Sequence, residues 1–324
     1  MANQSQTGPT LNPKESTMRV IAARIKVLRL LSVAVVALLF LAATAHADIF
    51  VANFGDGTIK RFDDAGNLIP GTYITGLGSS EGVACIKLSS NELYVANNSG
   101  TILVFDLATG APITSFAVAG AQSIAAMSFS IDGSVLYAAD YGAGMIFGVN
   151  PNSPHNVIYH APTTASHDVR VGSDGYVYAT HFLNQTGVVR FSKDLTTSTQ
   201  FVAYNDHGLA RAGGLAFDGS GNLWVTDFTN PGAFISEYQN SGGISTYLRT
   251  VADSTGSPLG LDLGPDHNIY VADFHLNRIS KIDVAGGTYV LSTFISGSPA
   301  NLDEPKYVNF SEDGYPLDSG DHNR

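Results

Sequence analysis

The sequence predicts an all-β chain, a six-bladed β-propeller of four-stranded antiparallel blades whose ring is closed by the C-terminal strand pairing into the N-terminal blade. Three observations lead there. One short apolar strand recurs six times, a second strand follows every copy in register, and the strand missing from the first copy reappears near the end of the chain.

The recurring strand reads Ile49-Phe50-Val51-Ala52-Asn53 and returns from Leu93, Leu136, Val177, Leu223 and Ile269. Its last positions, Asn53, Asn97, Asp140, His181, Asp227 and Asp273, are 44, 43, 41, 46 and 46 residues apart. The second strand carries Ile or Val first and an apolar residue three on: Ile59/Phe62, Ile102/Phe105, Ile146/Val149, Val188/Phe191, Ile235/Tyr238 and Ile279/Ile282. A third strand precedes most copies, reading GVACI from Gly82, SIAAM from Ser123, DVRV from Asp168, GLAF from Gly214 and GLDL from Gly260. Turns such as Asp132-Gly133 and Asp174-Gly175 follow it, and such turns between short apolar runs mark antiparallel hairpins. A weaker fourth strand closes the unit, as in ITSFAVA from Ile113 and YVLSTFI from Tyr289.

Four short strands cannot bury two apolar faces alone, whereas stacking such sheets radially does so and leaves only short edges. The first copy has no third strand of its own. YVNF from Tyr307 supplies it, so the C-terminus completes the first blade. Pro316, in a decayed repeat at Gly314–Asp318, lacks a ladder donor, and residues 319–324 read as tail. The propeller therefore spans residues 48–318.

Ahead of it, residues 30–43 form the only long apolar run, with Arg19, Arg24, Lys26 and Arg29 before it and Ala45-His46-Ala47 after it. A basic segment, a short apolar segment and an A-x-A site compose a secretory signal peptide, which places residues 1–47 in the leader and the protein in the periplasm or outside the cell. Met18 offers an alternative start with a more compact leader. The apolar run is short of the about 20 residues that a membrane span needs, so no membrane attachment is expected after cleavage; an uncleaved anchor is the competing reading.

Removing the leader takes five of the 17 basic groups and one of the 28 acidic ones, leaving 12 against 27 and a net charge of −15. A surface that negative repels phosphate backbones and excludes nucleic acid as a partner. The lone Cys85 forms no internal disulfide, and its apolar neighbours predict a buried thiol.

The blade Pro258-Leu259-Gly260-Leu261-Asp262, Asn268-Ile269-Tyr270-Val271-Ala272-Asp273, Asn277-Arg278-Ile279 resembles the NHL repeat, and the blade from Gly213 to Asp227 is similar. Looser likeness covers the remaining blades. The resemblance extends to six-bladed relatives, the senescence-marker/gluconolactonase hydrolases and the peptidylglycine amidating lyase, in which metal ligands stand just before the inner strands. Here that column reads Glu81, Gln122, His167, Gly213, Leu259 and Lys306. Glu81, Gln122 and His167 are acceptable donors for Ca²⁺ or Zn²⁺. The pattern departs from the lyase, which has several histidines there, and from the lactonase, which has polar residues where this chain has Gly213 and Leu259. Lys306 sets a cation beside any ion held there. A polar, water-filled channel mouth is the alternative.

The strand-end column, Asn53 to Asp273, is explained by side chains that hydrogen-bond backbone in the adjoining turn. His181 interrupts it on the blade that carries His167, and His207 lies in the loop leaving that blade. These two are secondary candidates. Neither a nucleophile elbow nor a P-loop is present. Two functions remain open: a monomeric module that binds a small molecule or a protein, and a metal-dependent hydrolase or lyase of the gluconolactonase kind.

Overall fold

The structure, a computed structural model, describes residues 47–71, 73–77, 85–89, 91–96, 98–183, 187–229, 232–252 and 256–311. The leader, Glu81, Asn97 and the segment after Ser311, including the Pro316 repeat and the tail, lie outside the described residues. Among those described, no helix is long and apolar enough to cross a membrane.

Blade one contains β1 (Ile49–Asn53) and β2 (Thr58–Phe62). Blade two is β3 (Cys85–Ser89), β4 (Glu92–Ala96), β5 (Thr101–Asp106) and β6 (Pro112–Ala117). Blade three is β7 (Ile124–Phe129), β8 (Leu136–Asp140), β9 (Met145–Val149) and β10 (Val157–Pro162). Blade four is β11 (Val169–Val171), β12 (Val177–His181), β13 (Gly187–Phe191) and β14 (Ser198–Val202). Blade five is β15 (Ala212–Phe217), β16 (Leu223–Asp227), β17 (Phe234–Ser241) and β18 (Ile244–Ala252). Blade six is β19 (Pro258–Leu263), β20 (Ile269–Asp273), β21 (Arg278–Ile282) and β22 (Leu291–Ser296). The last strand, β23 (Pro305–Phe310), pairs antiparallel with β1, so the ring closes through the C-terminal segment as its sequence indicates.

Each blade is an antiparallel meander, and the innermost strands touch in the cyclic order β23, β3, β7, β11, β15, β19 and back to β23. Blade one departs from the four-stranded plan. Among the described residues its sheet is β2-β1-β23, with isolated bridges, Ile59 to Ile74 and Phe62 to Leu68, at the fourth position. Pro70 and the positive-φ Gly71 and Gly76 interrupt that segment, and neither residue type sustains a ladder.

The repeated strand is wholly buried in blades one, three, four, five and six, because it is sandwiched between neighbouring blades. Its second residue is aromatic in every copy, and in four copies its polar atom is tied to an acid beside the hairpin at the blade's base, while Tyr137 of blade three donates to the Lys193 carbonyl of blade four at 2.6 Å. Tyr94 donates to Glu92 (2.7 Å), Tyr178 to Asp174 (2.7 Å), Trp224 to Asp218 (3.1 Å) and Tyr270 to Asp266 (3.1 Å). A large ring thus fills the gap between blades while its polar atom is satisfied.

Inner strands approach so closely that glycine is required at two points. A Cβ on Gly214 would stand 1.9 Å from the Leu259 carbonyl oxygen, and one on Gly260 would stand 2.4 Å from the Tyr307 ring. The inner strands also begin with register shifts: between Ile124 and Ala126, Ala212 and Leu215, Pro258 and Leu261, and opposite Ala52/Asn53 at Lys306. Such bulges re-aim side chains at a sheet edge, and here they set the residues at one end of the central channel.

Candidate functional site: an aromatic, cationic channel mouth

The strand-end column acts as a brace. The Asp140 carboxylate accepts from the backbone N–H of Gln122 (2.7 Å), Ser123 (3.0 Å) and Ala143 (2.6 Å). Asp227 accepts from Ala210 (2.5 Å), Arg211 (3.1 Å) and Thr229 (2.7 Å), and Asp273 from Ser257 (3.0 Å). Each acid fastens the loop entering the inner strand and the following turn as well, Asp273 through the Leu276 N–H. This is backbone chemistry, as turn-forming Asp and Asn provide.

Where His181 replaces the acid, the fastening changes hands. Thr180 Oγ1 accepts from the N–H of His167 (3.1 Å) and Asp168 (2.8 Å), while His181 Nδ1 shares a hydrogen bond with Thr164 Oγ1 at 2.8 Å. His181 Nε2 is buried without a hydrogen-bond partner. Burial pulls the His181 pKa down from 6.5 to about 4. The unfolded chain therefore binds this proton more readily, and the stability tied to neutral His181 drains away as pH falls from about 6.5 to about 4. Thermal melts of wild type and His181→Asn should accordingly diverge across that window, wild type losing Tm the faster. Parallel Tm-versus-pH curves would remove the titration from His181.

Immediately after the brace comes a residue absent from the candidate set: Phe54, Asn98, Tyr141, Phe182, Phe228 and Phe274 in blade order. Five of the six are aromatic, and their rings form a continuous arc from blade three through blade six to blade one. Centroids are 6.2 Å apart for Tyr141–Phe182, 5.9 Å for Phe182–Phe228, 6.3 Å for Phe228–Phe274 and 5.7 Å for Phe274–Phe54. One repeated bond positions them. The backbone N–H of Tyr141, Phe228, Phe274 and Phe54 donates to the carbonyl of Ser123, Arg211, Ser257 and Glu304, each in the loop or strand start of the inner strand.

Cations stand against this arc. The Arg211 guanidinium carbon lies 4.4 Å from the Phe182 centroid and 5.6 Å from that of Phe228, and Lys306 Nζ lies 5.2 Å from Phe54. Lys306 is buried and Arg211 exposed. His167 packs 4.9 Å from Phe182 and 6.3 Å from Tyr141, and its Nδ1 is buried without a hydrogen-bond partner. Burial, then the charges of Lys306 and Arg211, hold the His167 imidazole well below the usual histidine range, so it is neutral at physiological pH.

The channel is crossed just below. The Tyr307 hydroxyl of blade one donates to the His167 carbonyl of blade four at 2.7 Å, spanning opposite blades. Deeper, Arg170 reaches from blade four to the carbonyls of Leu215 (2.9 Å) and Leu261 (2.9 Å), with Asp168 at 3.9 Å, and Asn309 donates to Asp262 (2.8 Å). The mouth is thus a cup with a floor.

Of the sequence candidates, His167 and Lys306 share this cup. Gln122 is exposed on blade three, and its backbone is held by Asp140. Glu81 lies outside the described residues. His207 is elsewhere: its ring stacks on Tyr247 of the outermost strand β18 at 3.6 Å and its Nδ1 pairs with Asp206. His167, His181 and His207 therefore form no triad. Among the described residues no group of three His, Cys, Asp or Glu is placed to hold a metal ion, and Lys306 and Arg211 act on the one imidazole there, His167. Arg211 escapes the column reading because it sits two residues before Gly213 and reaches the cup by side-chain length. The aromatic arc does leave a signal, in five rings directly after the brace residue.

Comparison with solved structures finds the same architecture at low identity. The chain superposes on a structure from a nidogen/laminin complex with a TM-score of 0.66 and 15% identity, over 83% of this chain and 100% of that one. Virginiamycin B lyase from Staphylococcus aureus gives 0.60 and 12%, over 82% and 87%. A putative 6-phosphogluconolactonase from Bacteroides fragilis gives 0.56 and 14%, over 84% and 99%. The likeness establishes the six-bladed propeller fold. It accords with the NHL-like blades, and at this identity it carries fold alone. No protein-family model and no curated protein matches the chain.

Proposed function

We propose that the chain is an exported propeller acting as a binding module, with the cup at the channel mouth as its ligand site. The observation that carries this is the contiguous aromatic arc from Tyr141 to Phe54, beside the Tyr307 bond that crosses the channel. Flat apolar walls with a few convergent polar groups describe a small-ligand site. The leader-like N-terminus supports export, and a matched structure that comes from a nidogen/laminin complex is a precedent for a partner-binding role.

The second reading, a hydrolase or lyase, is favoured by one feature. Neutral His167 keeps an unpartnered Nδ1 beside the cup, as a general base would. A thermal-shift screen across neutral, anionic and cationic metabolites, run beside lactone and ester hydrolysis assays, separates the two. Binding predicts compounds that raise Tm in wild type and have no effect on a Phe228→Ala/Phe274→Ala variant, with no turnover. Turnover abolished by His167→Ala would replace the module with an enzyme, and hits that persist in the double variant would move the site elsewhere.

A further inference from the structure

We infer that His275 presents a fixed Nε2–H donor at the channel mouth, and that the ligand held there is a flat molecule bringing a hydrogen-bond acceptor to it. This rests on the reading of the mouth as the ligand site and adds the ligand's chemical class.

Three rings at the joint of blades five and six carry it. The centroids of Phe228 and Phe274 are 6.3 Å apart, and the His275 ring lies 6.1 Å from the first and 5.2 Å from the second. The two phenyl rings are half-buried and the imidazole is exposed. A flat molecule laid on this part of the arc therefore meets the imidazole as well. It does so in the offset or edge-on contacts that aromatic pairs favour.

His275 is held from behind. Its Nδ1 lies 2.5 Å from Ser257 Oγ, while the Ser257 N–H donates to Asp273 at 3.0 Å and the Ser257 carbonyl accepts from Phe274 N–H at 3.1 Å. Ser257 is fully buried, so its hydroxyl is closed to a ligand as a nucleophile, and among the described residues the imidazole is the partner of that hydroxyl. Burial assigns the tautomer. If Nδ1 carried the proton and donated to Oγ, the serine O–H would be left buried without an acceptor, which is the costly arrangement. With Ser257 donating, both atoms are satisfied and the ring proton sits on Nε2. Protonation of the ring would reverse the Ser257 bond and still leave a proton on Nε2. Nε2 is thus a donor in either state, which suits it to hold a carbonyl or ether oxygen and unsuits it to act as a base. Arg211, whose guanidinium carbon is 5.6 Å from the Phe228 centroid, is also a donor without acceptor capacity and favours the same class. A hydrocarbon or a donor covering these rings would strand the Nε2–H, whereas an acceptor on the ligand pairs it.

Long-range proton–nitrogen correlation NMR of the histidine-labelled protein in mildly alkaline buffer tests the donor. His275 should show a pyrrole-type Nε2 and a pyridine-type Nδ1, and the reverse pattern overturns the fixed donor. Calorimetric titration with two neutral bicyclic probes tests the class. Coumarin, which only accepts hydrogen bonds, should bind about tenfold more tightly than indole, which only donates, and His275→Leu should level the two. His275 is exposed, so this variant should melt like wild type. Equal affinity in wild type, tighter binding of indole, or a coumarin preference that survives His275→Leu overturns the acceptor class and leaves the cup as a site. Binding of neither probe at about 5 mM, or binding unaltered in Phe228→Ala/Phe274→Ala, overturns the cup itself.

Discussion

Deleting residues 305–324 should abolish cooperative folding, while deleting 319–324 should leave the melting temperature unchanged. β23 is buried along its whole length and contributes Tyr307, Val308 and Phe310, each no more than 5% exposed. Fully burying a large apolar side chain stabilises by about 1.5–3 kcal/mol, so these three account for roughly 4–9 kcal/mol. The total stability of a domain is about 5–15 kcal/mol. Their loss also strips the ladder from β1, breaks the contact of β23 with β3 and β19, and removes the Tyr307 bond across the channel. A ring opened at one joint exposes two blade faces. Circular dichroism melts check this: the shorter deletion should melt like wild type and the longer one without a sigmoidal transition. A synthetic peptide covering 303–313 should restore the transition in trans. If the 305–324 deletion melts cooperatively at the wild-type temperature, β23 does not close the ring.

The fold is readable in the sequence because the same physical demand is repeated six times. A strand buried on both faces needs apolar residues throughout, with a ring in second place and an Asp or Asn at its end, and five of the six copies end that way. The fourth strand of blade one is not readable as irregular, because Ile69 and Ile74 look like strand residues until Pro70, Gly71 and Gly76 are seen to break the pairing into single bridges. The cup is half readable. His167 and Lys306 lie in the expected column, and the positive charge of Lys306 does act on His167. The aromatic arc is written just as regularly, but a Phe beside an apolar strand looks like core packing. Only the backbone bonds from Tyr141, Phe228, Phe274 and Phe54 to the inner-strand loops show that the rings gather at the opening.

Arg170→Met should destabilise the propeller by about 3–5 kcal/mol at neutral pH, the cost of leaving one partner of a buried ion pair uncompensated. Arg170 is 6% exposed and ties three blades, because its guanidinium donates to Leu215 and Leu261 carbonyls while neutralising Asp168, the residue just before its own strand. Methionine fills similar volume but leaves two carbonyls and one carboxylate without that partner. Asp168 makes the loss depend on pH in a specified direction. Burial raises its pKa from 3.8 to about 6, and the Arg170 charge opposes that rise. A carboxyl whose folded-state pKa is raised binds its proton more readily in the native state, so stability falls as pH rises from about 4 to about 6 and is level above. Without Arg170 that window extends upward. The difference in urea midpoint between wild type and Arg170→Met should therefore be smaller at pH 5 than at pH 8. Adding Asp168→Asn should recover part of the loss, since the amide keeps the shape and removes the stranded charge, although the Asp168 bonds to Val169 and Leu215 N–H then weaken. A pH-independent difference with no recovery in the double variant would assign the effect to packing across the channel, leaving the charge pair without an energetic role.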